Sequence, residues 1–503
     1  MMKLSLLYIM FSFVNLFSVT YYVSTNGDDD NNGRSRDEAF RTLQHAADIV
    51  VASDSVLTLN GDYAGFYLEK NGTEQRPIVF RGFSDNARIT TRNPVTPDGI
   101  NVENSSWVII ENFKVIGMPR NGIRVAVSSH VTIRSNYCDN NYERGIFTGF
   151  ADYALIEYNE CLNSQDEHGI YFSNSADHPI IRCNISHHNN GCGIHMNGDV
   201  SQGGDGVISD AIVEGNIIYE NGNGGGSGIN CDGVINSHIF NNLLYMNHAS
   251  GISLYQIDAS QGSHHVKIFN NTIIQPDNGR WCININTSST NDTVYNNILI
   301  NLHSYRGSIT IDESSRSGFF SDYNLVVDRM SYDGDNVIDL SRWQSYGYDR
   351  HSYIAENMNN IFMDWQNRNF HYRENSQPVE KGTDAVSYIV KNDLDGVKRP
   401  QGQYYDIGCY EYVSNGFNYA LSSVPSHLKQ KIYFSNGYLH YRNLSMNDKL
   451  LLYNLSGRKI SSFRINQTDG KLYIGNLPNG IILYRLISTI SCKNISGKIP
   501  VIK

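Results

Sequence analysis

A repeat of about 24 residues constrains the fold of this chain more than any other feature of its sequence. Gly-Ile pairs recur mostly 23 to 25 residues apart, at Gly99, Gly122, Gly145, Gly169, Gly193, Gly228 and Gly251. In phase with them, an Asn follows an apolar strand-like run, at Asn136, Asn159, Asn184, Asn216, Asn242, Asn271, Asn297 and Asn324. A period of this length, with short strands and no helix inside it, predicts one supersecondary unit per turn of a solenoid.

The repeat predicts an all-β fold, a right-handed parallel β-helix. The 503 residues include 43 Gly and 33 Tyr, a composition typical of a protein with many strands and tight turns. Asn side chains repeated at one turn can hydrogen-bond from coil to coil as a ladder. A leucine-rich horseshoe would need a Leu-x-x-Leu-x-Leu frame, which is missing, and a propeller would need a period near 40 residues.

The segments outside the repeat predict the remaining organisation. The regular coils extend over about 57–330 and belong to a β-helix domain of 21–413, with a closing segment at 331–413. Leu43, Ala46, Ala47 and Val50 have helical spacing and predict a short N-terminal capping helix. Residues 414–429 are a predicted linker, and the alternating pattern of 430–503 predicts a small C-terminal β-sandwich.

Charge and the first twenty residues indicate where the protein acts. Residues 1–20 have the Lys, the apolar run and the small residues of a signal peptide, and no later segment is apolar enough to cross a membrane. The net charge of −10 argues against a nucleic-acid or membrane-surface binder. Cysteines occur one to a coil, without zinc-like spacing, and most of them are predicted to be small buried hydrophobic residues. We expect a secreted or outer-surface protein, monomeric, with no span in the mature chain.

Strand alternation predicts which residues of each repeat lie on the outer surface. If each Ile of a Gly-Ile pair points inward, the next residue points outward, and coils stack about 4.8 Å apart. The outward positions near the middle of the repeat should then form one patch roughly 15 Å long. Its predicted members are His168, Tyr171, His195, Asn197, Asn230, Asp232 and Tyr255. Two long insertions, DVSQGGDGVISD and QIDASQGSHH, follow Gly-Ile strands and should wall a groove.

Three stretches resemble a known family. The N-terminal YYVSTNGDDDNNG, the Gly-Ile and Asn-Asn-x-Ile ladder, and the late KRPQGQYYDIGCYEY are similar to secreted right-handed parallel β-helix proteins of the pectate-lyase-like superfamily. The resemblance covers residues 21 to about 413. It implies the fold and a polysaccharide substrate, while the superfamily includes lyases, hydrolases, epimerases and adhesins.

The C-terminal unit has a resemblance of its own. Leu455-Ser456-Gly457-Arg458, then Leu477-Pro478-Asn479-Gly480-Ile481 with Tyr484, and finally Lys498 to Lys503 are similar to sorting domains of the type IX secretion system. The resemblance implies export by the type IX machinery. A generic carbohydrate-binding or fibronectin-like module is the alternative.

The favoured reaction is β-elimination of an acidic, uronate-containing polysaccharide. It needs a group that neutralises the carboxylate, a base for the C5 proton and an acid for the leaving oxygen. The predicted catalytic residues are His168, Tyr171, His195, Asp232 and Tyr255, with a His as base and Tyr171 or Tyr255 as acid. The predicted substrate-binding residues are Arg144, Asn197, Asn230, Arg280, Trp281 and Arg306. Lyases of this fold usually have a Lys or Arg base, and no Lys lies on these columns.

Two other functions stay open. Hydrolysis would use paired carboxylates, with Asp166, Glu167, Asp199, Asp205 and Asp232 available. The asparagine-x-aspartate and paired-aspartate motifs of the superfamily's hydrolases are not clearly present, and the epimerase tetrapeptide Asp-Pro-His-Asp is absent. A non-catalytic adhesin is the other alternative. Asp199 and Asp205 are the candidate ligands for a calcium ion, and no other cofactor is expected.

Overall fold

Three parallel sheets wind through the chain as a β-solenoid in the computed structural model. The structure describes residues 18–83 and 86–413, and seven strands between 431 and 501. Most of the predicted signal peptide, the linker and the motif at 455–458 lie outside the described residues. Each coil contributes one strand to the first, second and third sheets in turn, and each sheet has twelve strands. The predicted fold class is therefore confirmed.

The strands of each sheet are as follows. The first sheet contains Thr20–Val23, Ser55–Thr58, Ile78–Gly82, Val108–Glu111, Thr132–Arg134, Leu155–Glu157, Ile180–Arg182, Ile212–Glu214, His238–Phe240, Lys267–Phe269, Thr293–Tyr295 and Phe320–Asp322. The second contains Gly61–Ala64, Ala87–Thr91, Lys114–Ile116, Tyr137–Asp139, Glu160–Leu162, Ile185–His187, Ile217–Tyr219, Leu243–Tyr245, Thr272–Gln275, Ile298–Asn301, Leu325–Val326 and Tyr353–Ile354. The third, which we call the Gly-Ile sheet, contains Phe66–Leu68, Ile100–Glu103, Asn121–Ser129, Arg144–Asp152, Ile170–Ser173, Ile194–Asn197, Ile229–Asp232, Ile252–Tyr255, Ile283–Ile285, Ile309–Ile311, Met330–Ser331 and Val337–Ile338.

Alternate residues of every sheet fill one continuous core. The predicted inward positions of the Gly-Ile sheet, from Ile100 and Val102 to Ile309 and Ile311, are fully buried. They pack with inward residues of the other two sheets in a single hydrophobic cluster. Burial of aliphatic side chains along the whole axis is the main stabilising term of such a fold. The inward and outward assignment made from strand alternation is confirmed.

Asparagine ladders hold the turns. The Nδ2 group of each Asn from Asn136 to Asn297 donates to Oδ1 of the next member of the predicted series, at 2.9–3.1 Å. A second ladder, which the sequence did not reveal, lies at the turn before the Gly-Ile sheet. There Asn189 donates to Asn221, and Asn221 to Asn247. These amides satisfy buried backbone groups where the chain leaves the sheets.

Helices close both ends of the solenoid. The helix Leu43–Ile49 begins at the cap residue Thr42 and buries Leu43, Ala46 and Ala47 in the core cluster, as predicted. At the other end, the helix Leu340–Ser345 inserts Trp343, which is fully buried. Its indole Nε1 donates to Asp349 at 2.7 Å. Both helices cover core residues that would otherwise face water at an open coil.

The rest of the closing segment covers one flank of the solenoid. It contains the short helix Met358–Ile361 and a hairpin of the strands Phe362–Asp364 and Asn369–Tyr372. Apolar residues of this segment pack on outward positions of the second sheet, including Tyr245, Ile274 and Ile300. The segment predicted to close the solenoid therefore covers two surfaces. The helix that contains Trp343 covers the last coil, and the rest of the segment covers this flank. None of the helices in the described part of the chain reaches the length and apolarity of a transmembrane helix.

The described strands beyond residue 430 form two antiparallel sheets. One contains Lys431–Ser435, Tyr438–Arg442 and Gly470–Tyr473. The other contains Lys459–Arg464, Lys449–Tyr453, Gly480–Ile487 and Asn494–Val501. The all-β character predicted for this unit is confirmed, whereas the sandwich arrangement stays a prediction.

Candidate functional site

The outward patch predicted on the Gly-Ile sheet exists as two columns. In the first column, Tyr171 pairs in register with His195, and His195 pairs with Asn230. The second column contains Ser173, Asn197 and Asp232 on these three coils and Tyr255 on the next one. Successive strands are about 4.8 Å apart, so four coils extend over roughly 15 Å. The predicted juxtaposition is confirmed, and the role of each residue stays a prediction.

A chain of hydrogen bonds connects two histidines to a tyrosine. The backbone N–H of Cys192 donates to Nδ1 of His168 at 2.9 Å. The ring proton of neutral His168 must therefore be on Nε2, which lies 3.0 Å from Nδ1 of His195. We assign the proton of His195 to Nε2, which lies 3.3 Å from Oη of Tyr255. In this series of hydrogen bonds, Nε2–H of His195 donates to Oη of Tyr255.

Burial keeps both rings of this chain neutral. Desolvation, and after it the positive charge of Arg144, lowers the pKa of His195 to about 3. Desolvation, the His195 ring and Arg144 lower the pKa of His168 well below its usual value. Burial also raises the pKa of Tyr255, so its hydroxyl retains its proton at neutral pH.

The same two histidines belong to a group with metal-ligating atoms. Among the described residues, His168, Cys192 and His195 are the one set of three His, Cys, Asp or Glu side chains whose ligand atoms lie within 4.8 Å of one another. A histidine that binds a metal normally donates its second ring N–H to an acceptor. Here Nδ1 of His168 accepts an N–H, so Nε2 carries the proton and has no lone pair for an ion. The arrangement fits the hydrogen-bond chain and does not fit a zinc site.

Tyr171 is the second hydroxyl of the patch. Its ring stacks on His195 with centroids 4.8 Å apart. Its Oη accepts from Nδ2 of Asn197 at 3.1 Å, and the same Nδ2 donates to Oδ2 of Asp258 at 3.2 Å. Burial raises the pKa of Tyr171, while hydrogen bonds from Ser173 and Asn197 and the charge of Arg144 oppose that effect. Each of the two phenolic oxygens is therefore paired with an N–H donor.

The buried carboxylate of Asp232 anchors a loop. Its two oxygens accept the backbone N–H groups of Ile257, Asp258 and Ala259 at 2.8–3.4 Å. The residue is buried, and desolvation raises its pKa although the three N–H donors oppose the change. These three bonds give Asp232 a structural role in holding the loop, and its predicted catalytic role stays a prediction.

Arg144 lies beside the patch but is already paired. It donates to Glu143 at 2.6 Å and to Glu167 at 2.7 Å. Its guanidinium lies 5.0 Å from the ring centroid of Tyr171. Because its N–H groups are engaged by two carboxylates, we assign Arg144 to the electrostatics around Tyr171 and not to direct binding of substrate.

The other predicted binding residues lie beyond the patch. The carbonyl of Trp281 accepts from the N–H of Gly251, which places Arg280 and Trp281 on the coil after Tyr255. The Trp281 side chain is buried, so its ring offers no face to a sugar. Arg306 lies one coil further and donates to the carbonyl of Gly279 at 3.2 Å. Arg280 and Arg306 would contact only a substrate that continues along the axis beyond Tyr255.

The two candidate calcium ligands stabilise their own loop. Oδ1 of Asp199 accepts the N–H and the hydroxyl of Ser201. Oδ1 of Asp205 accepts the N–H of Val207 at 3.1 Å. Turn-capping acids of this kind are common without an ion, and the calcium assignment stays a prediction.

Two contributions to the site were missed in the sequence. Asp258 lies in the predicted insertion QIDASQGSHH, but an exposed acid in a loop gives no local signal that it meets Asn197. Gly226, at φ +110°, allows the glycine-rich loop to approach Cys192, where a Cβ would lie 2.7 Å from Sγ. The run GNGGGSG was the available signal for this close approach.

Comparisons with known proteins support the fold. Residues 90–202 match the family described as right handed beta helix region. The chain is 30% identical over 135 residues to the uncharacterized protein YwoF of Bacillus subtilis (strain 168), a match that spans 23% of this chain and 28% of that protein. The crystal structure of pectate lyase Pel9A superposes with a TM-score of 0.54 at 15% identity, over 78% of this chain and 96% of that one. An alginate lyase from Paenibacillus sp. str. FPU-7 gives a TM-score of 0.41 at 18% identity, over 55% and 96%. The solenoid is thus a right-handed parallel β-helix.

Proposed function

We propose that this protein is a polysaccharide lyase that cleaves a uronate-containing glycan by β-elimination on the Gly-Ile sheet. The observation that carries the proposal is the pair of tyrosine hydroxyls, each with its own N–H donor. Oη of Tyr255 faces His195 at 3.3 Å, and Oη of Tyr171 accepts from Asn197 at 3.1 Å. Pectate lyase Pel9A, by its name a lyase, has the same fold, and function on a shared fold depends on the site.

The two hydroxyls divide the proton transfers. Tyr171 is the easier phenol to ionise, because the N–H of Asn197 and the charge of Arg144 oppose the effect of burial. Tyr171 first loses its proton to solvent, and the resulting phenolate removes the proton from C5 of the uronate. The C4–O4 bond then breaks, a C4–C5 double bond forms, and Tyr255 gives its proton to O4. Proton exchange with solvent restores both groups.

The histidines and amides stabilise charge. Once Tyr255 has donated its proton, Nε2–H of His195 faces the new phenolate, and His168 holds His195 in the required tautomer. Neither imidazole presents a lone pair to the groove, so the expected histidine base is replaced by Tyr171. Asn230, between His195 and Ser253 in the first column, is the amide placed to bind the uronate carboxylate.

Hydrolysis would require a pair of free carboxylates, and the engagement of the acids of the site favours elimination instead. Asp232 accepts three backbone N–H groups, and Glu167 is bound to Arg144. Asp199 caps its own turn. Asp258 is the one described acid that contacts the patch through Asn197, and one carboxylate does not provide both a general acid and a base or nucleophile.

The test is the replacement of the acid. Tyr255→Phe removes the hydroxyl and keeps the ring, so we expect kcat to fall by about 10²–10⁴ with KM little changed. Tyr142→Phe is the control, because Tyr142 is an exposed tyrosine on a neighbouring coil. Products are followed by the absorbance of unsaturated uronates across several acidic glycans. Reducing ends that appear without that absorbance would show hydrolysis and refute the proposal, and full activity of Tyr255→Phe would refute its role.

A further inference from the structure

Two insertions join into one rim beside the catalytic patch. The N–H of Val200 donates to the carbonyl of Asp258 at 3.0 Å, and the N–H of Ser260 donates to the carbonyl of Gly206 at 3.0 Å. The carboxylate of Asp232 fixes the 257–259 backbone from below. We call residues 198–207 and 256–260 the rim. Its loops are tied to each other and to the sheet, so the side chains at its edge have defined positions.

The rim presents apolar side chains next to a carboxylate. Ile257 is 76% exposed and Val200 is 47% exposed, and the Val200–Asp258 bond keeps them adjacent. Oδ2 of Asp258 accepts a hydrogen bond from Nδ2 of Asn197, which also donates to Oη of Tyr171. Large exposed apolar side chains at the edge of a site indicate a ligand contact. A sugar ring with an apolar C–H face and free hydroxyls matches this combination of aliphatic surface and hydrogen-bond acceptor.

Charge decides which sugar fits there. The segments that surround the patch, 143–150, 166–175, 192–207, 227–235 and 250–265, contain one Arg and seven acidic residues. The acidic residues are Glu143, Asp166, Glu167, Asp199, Asp205, Asp232 and Asp258. The single Arg144 is engaged by Glu143 and Glu167. A second uronate against Asp258 would bring its carboxylate into contact with another negative charge at the exposed edge of the site, which is unfavourable.

We propose that the substrate is a mixed glycan in which uronate residues alternate with neutral sugars, and that the rim binds the neutral sugar. The inference rests on the proposed lyase function and specifies its substrate class. The uronate lies over Asn230 and the two tyrosines, while the neighbouring neutral ring places its C–H face on Ile257 and Val200. A hydroxyl of that ring donates to Asp258. Specificity then comes from an attractive contact for the neutral ring and repulsion of a homopolymer.

The experiment compares two substrate classes on the full chain in calcium-free buffer. The probes are hyaluronan and the rhamnogalacturonan backbone as alternating chains, and polygalacturonate and alginate as homopolymers. We expect kcat/KM to be at least about tenfold higher on an alternating chain. Asp258→Asn should lower that ratio about tenfold, because it removes the charge that repels the homopolymer. Ile257→Ser should raise KM on the alternating chain.

Asp37→Asn is the matched control. Asp37 is an exposed acid near the N-terminus, outside the rim and outside the segments that surround the patch, so the substitution changes the net charge equally without touching Asn197. The substrate ratio should stay at the wild-type value in this variant. Preference of the wild type for homopolymers, or an unchanged ratio in Asp258→Asn, would overturn the inference alone. Absence of cleavage on both classes would overturn the proposed function and this inference with it.

Discussion

Removal of one amide from the buried Asn ladder tests how much the turns contribute to stability. Asn242 is fully buried, and its Nδ2 donates to the carbonyl of Val213 and to Oδ1 of Asn271, both at 3.0 Å. Its Oδ1 accepts the backbone N–H and the Nδ2 of Asn216, both at 2.9 Å. Asn242→Ala therefore removes hydrogen-bond partners from Asn216, Val213 and Asn271 on the neighbouring coils at once.

The expected loss follows from the number of groups left without that partner. The Asn216 backbone N–H, one proton of its amide and the Val213 carbonyl each lose a bond, whereas Oδ1 of Asn271 still accepts the N–H of residue 242. Each unsatisfied buried group costs about 1–3 kcal/mol. Because the surrounding structure relaxes in part, we expect the summed cost of the three groups to lie near the lower end of this range. Asn242→Ala should therefore reduce the free energy of unfolding by about 3–5 kcal/mol.

The assay is urea unfolding followed by far-UV circular dichroism. Asn242→Asp should destabilise at least as much, because a carboxylate keeps the acceptors but would face the oxygens of Val213 and Asn271. Asn223→Ala, in an exposed loop, is the control and should stay within about 0.5 kcal/mol of the wild type. A loss below about 1 kcal/mol for Asn242→Ala would refute the view that the ladder satisfies otherwise unpaired groups.

Two further substitutions test the loop anchor and the C-terminal cap. Asp232→Asn places an amide NH₂ against one of three backbone N–H groups, so the rim should shift and kcat/KM should fall about tenfold, measured by product absorbance; unchanged turnover would contradict the anchoring role. Trp343→Ala opens a fully buried cavity at the end of the solenoid and should cost about 3–5 kcal/mol in urea unfolding. Trp343→Phe should lose less, because mainly the bond to Asp349 disappears, and equal losses in the two variants would argue against a packing role.

Strand alternation was sufficient to predict the solenoid, its inward residues and the alignment of Tyr171, His195 and Asn230. These features depend on a period of two within each strand and on the spacing between strands, both of which are local properties. The direction of the hydrogen-bond chain could not be predicted from the sequence, because it depends on a backbone N–H of the next coil that donates to His168. The contact of Asp258 with Asn197 and the three backbone bonds to Asp232 depend on how an insertion folds back, and loop conformation leaves little periodic signal.

The closing segment on the second sheet changes how the solenoid should unfold. In a simple solenoid each coil contacts only its neighbours, so separate regions can open independently. Here residues from Met358 to Tyr410 pack across outward positions from Leu243 to Leu325. Arg368 extends this contact to Glu220, at 2.8 Å. The coils that carry Asn230 and Tyr255 are therefore joined to a long-range partner and should open together, as one cooperative block that protects half of the site from local fraying.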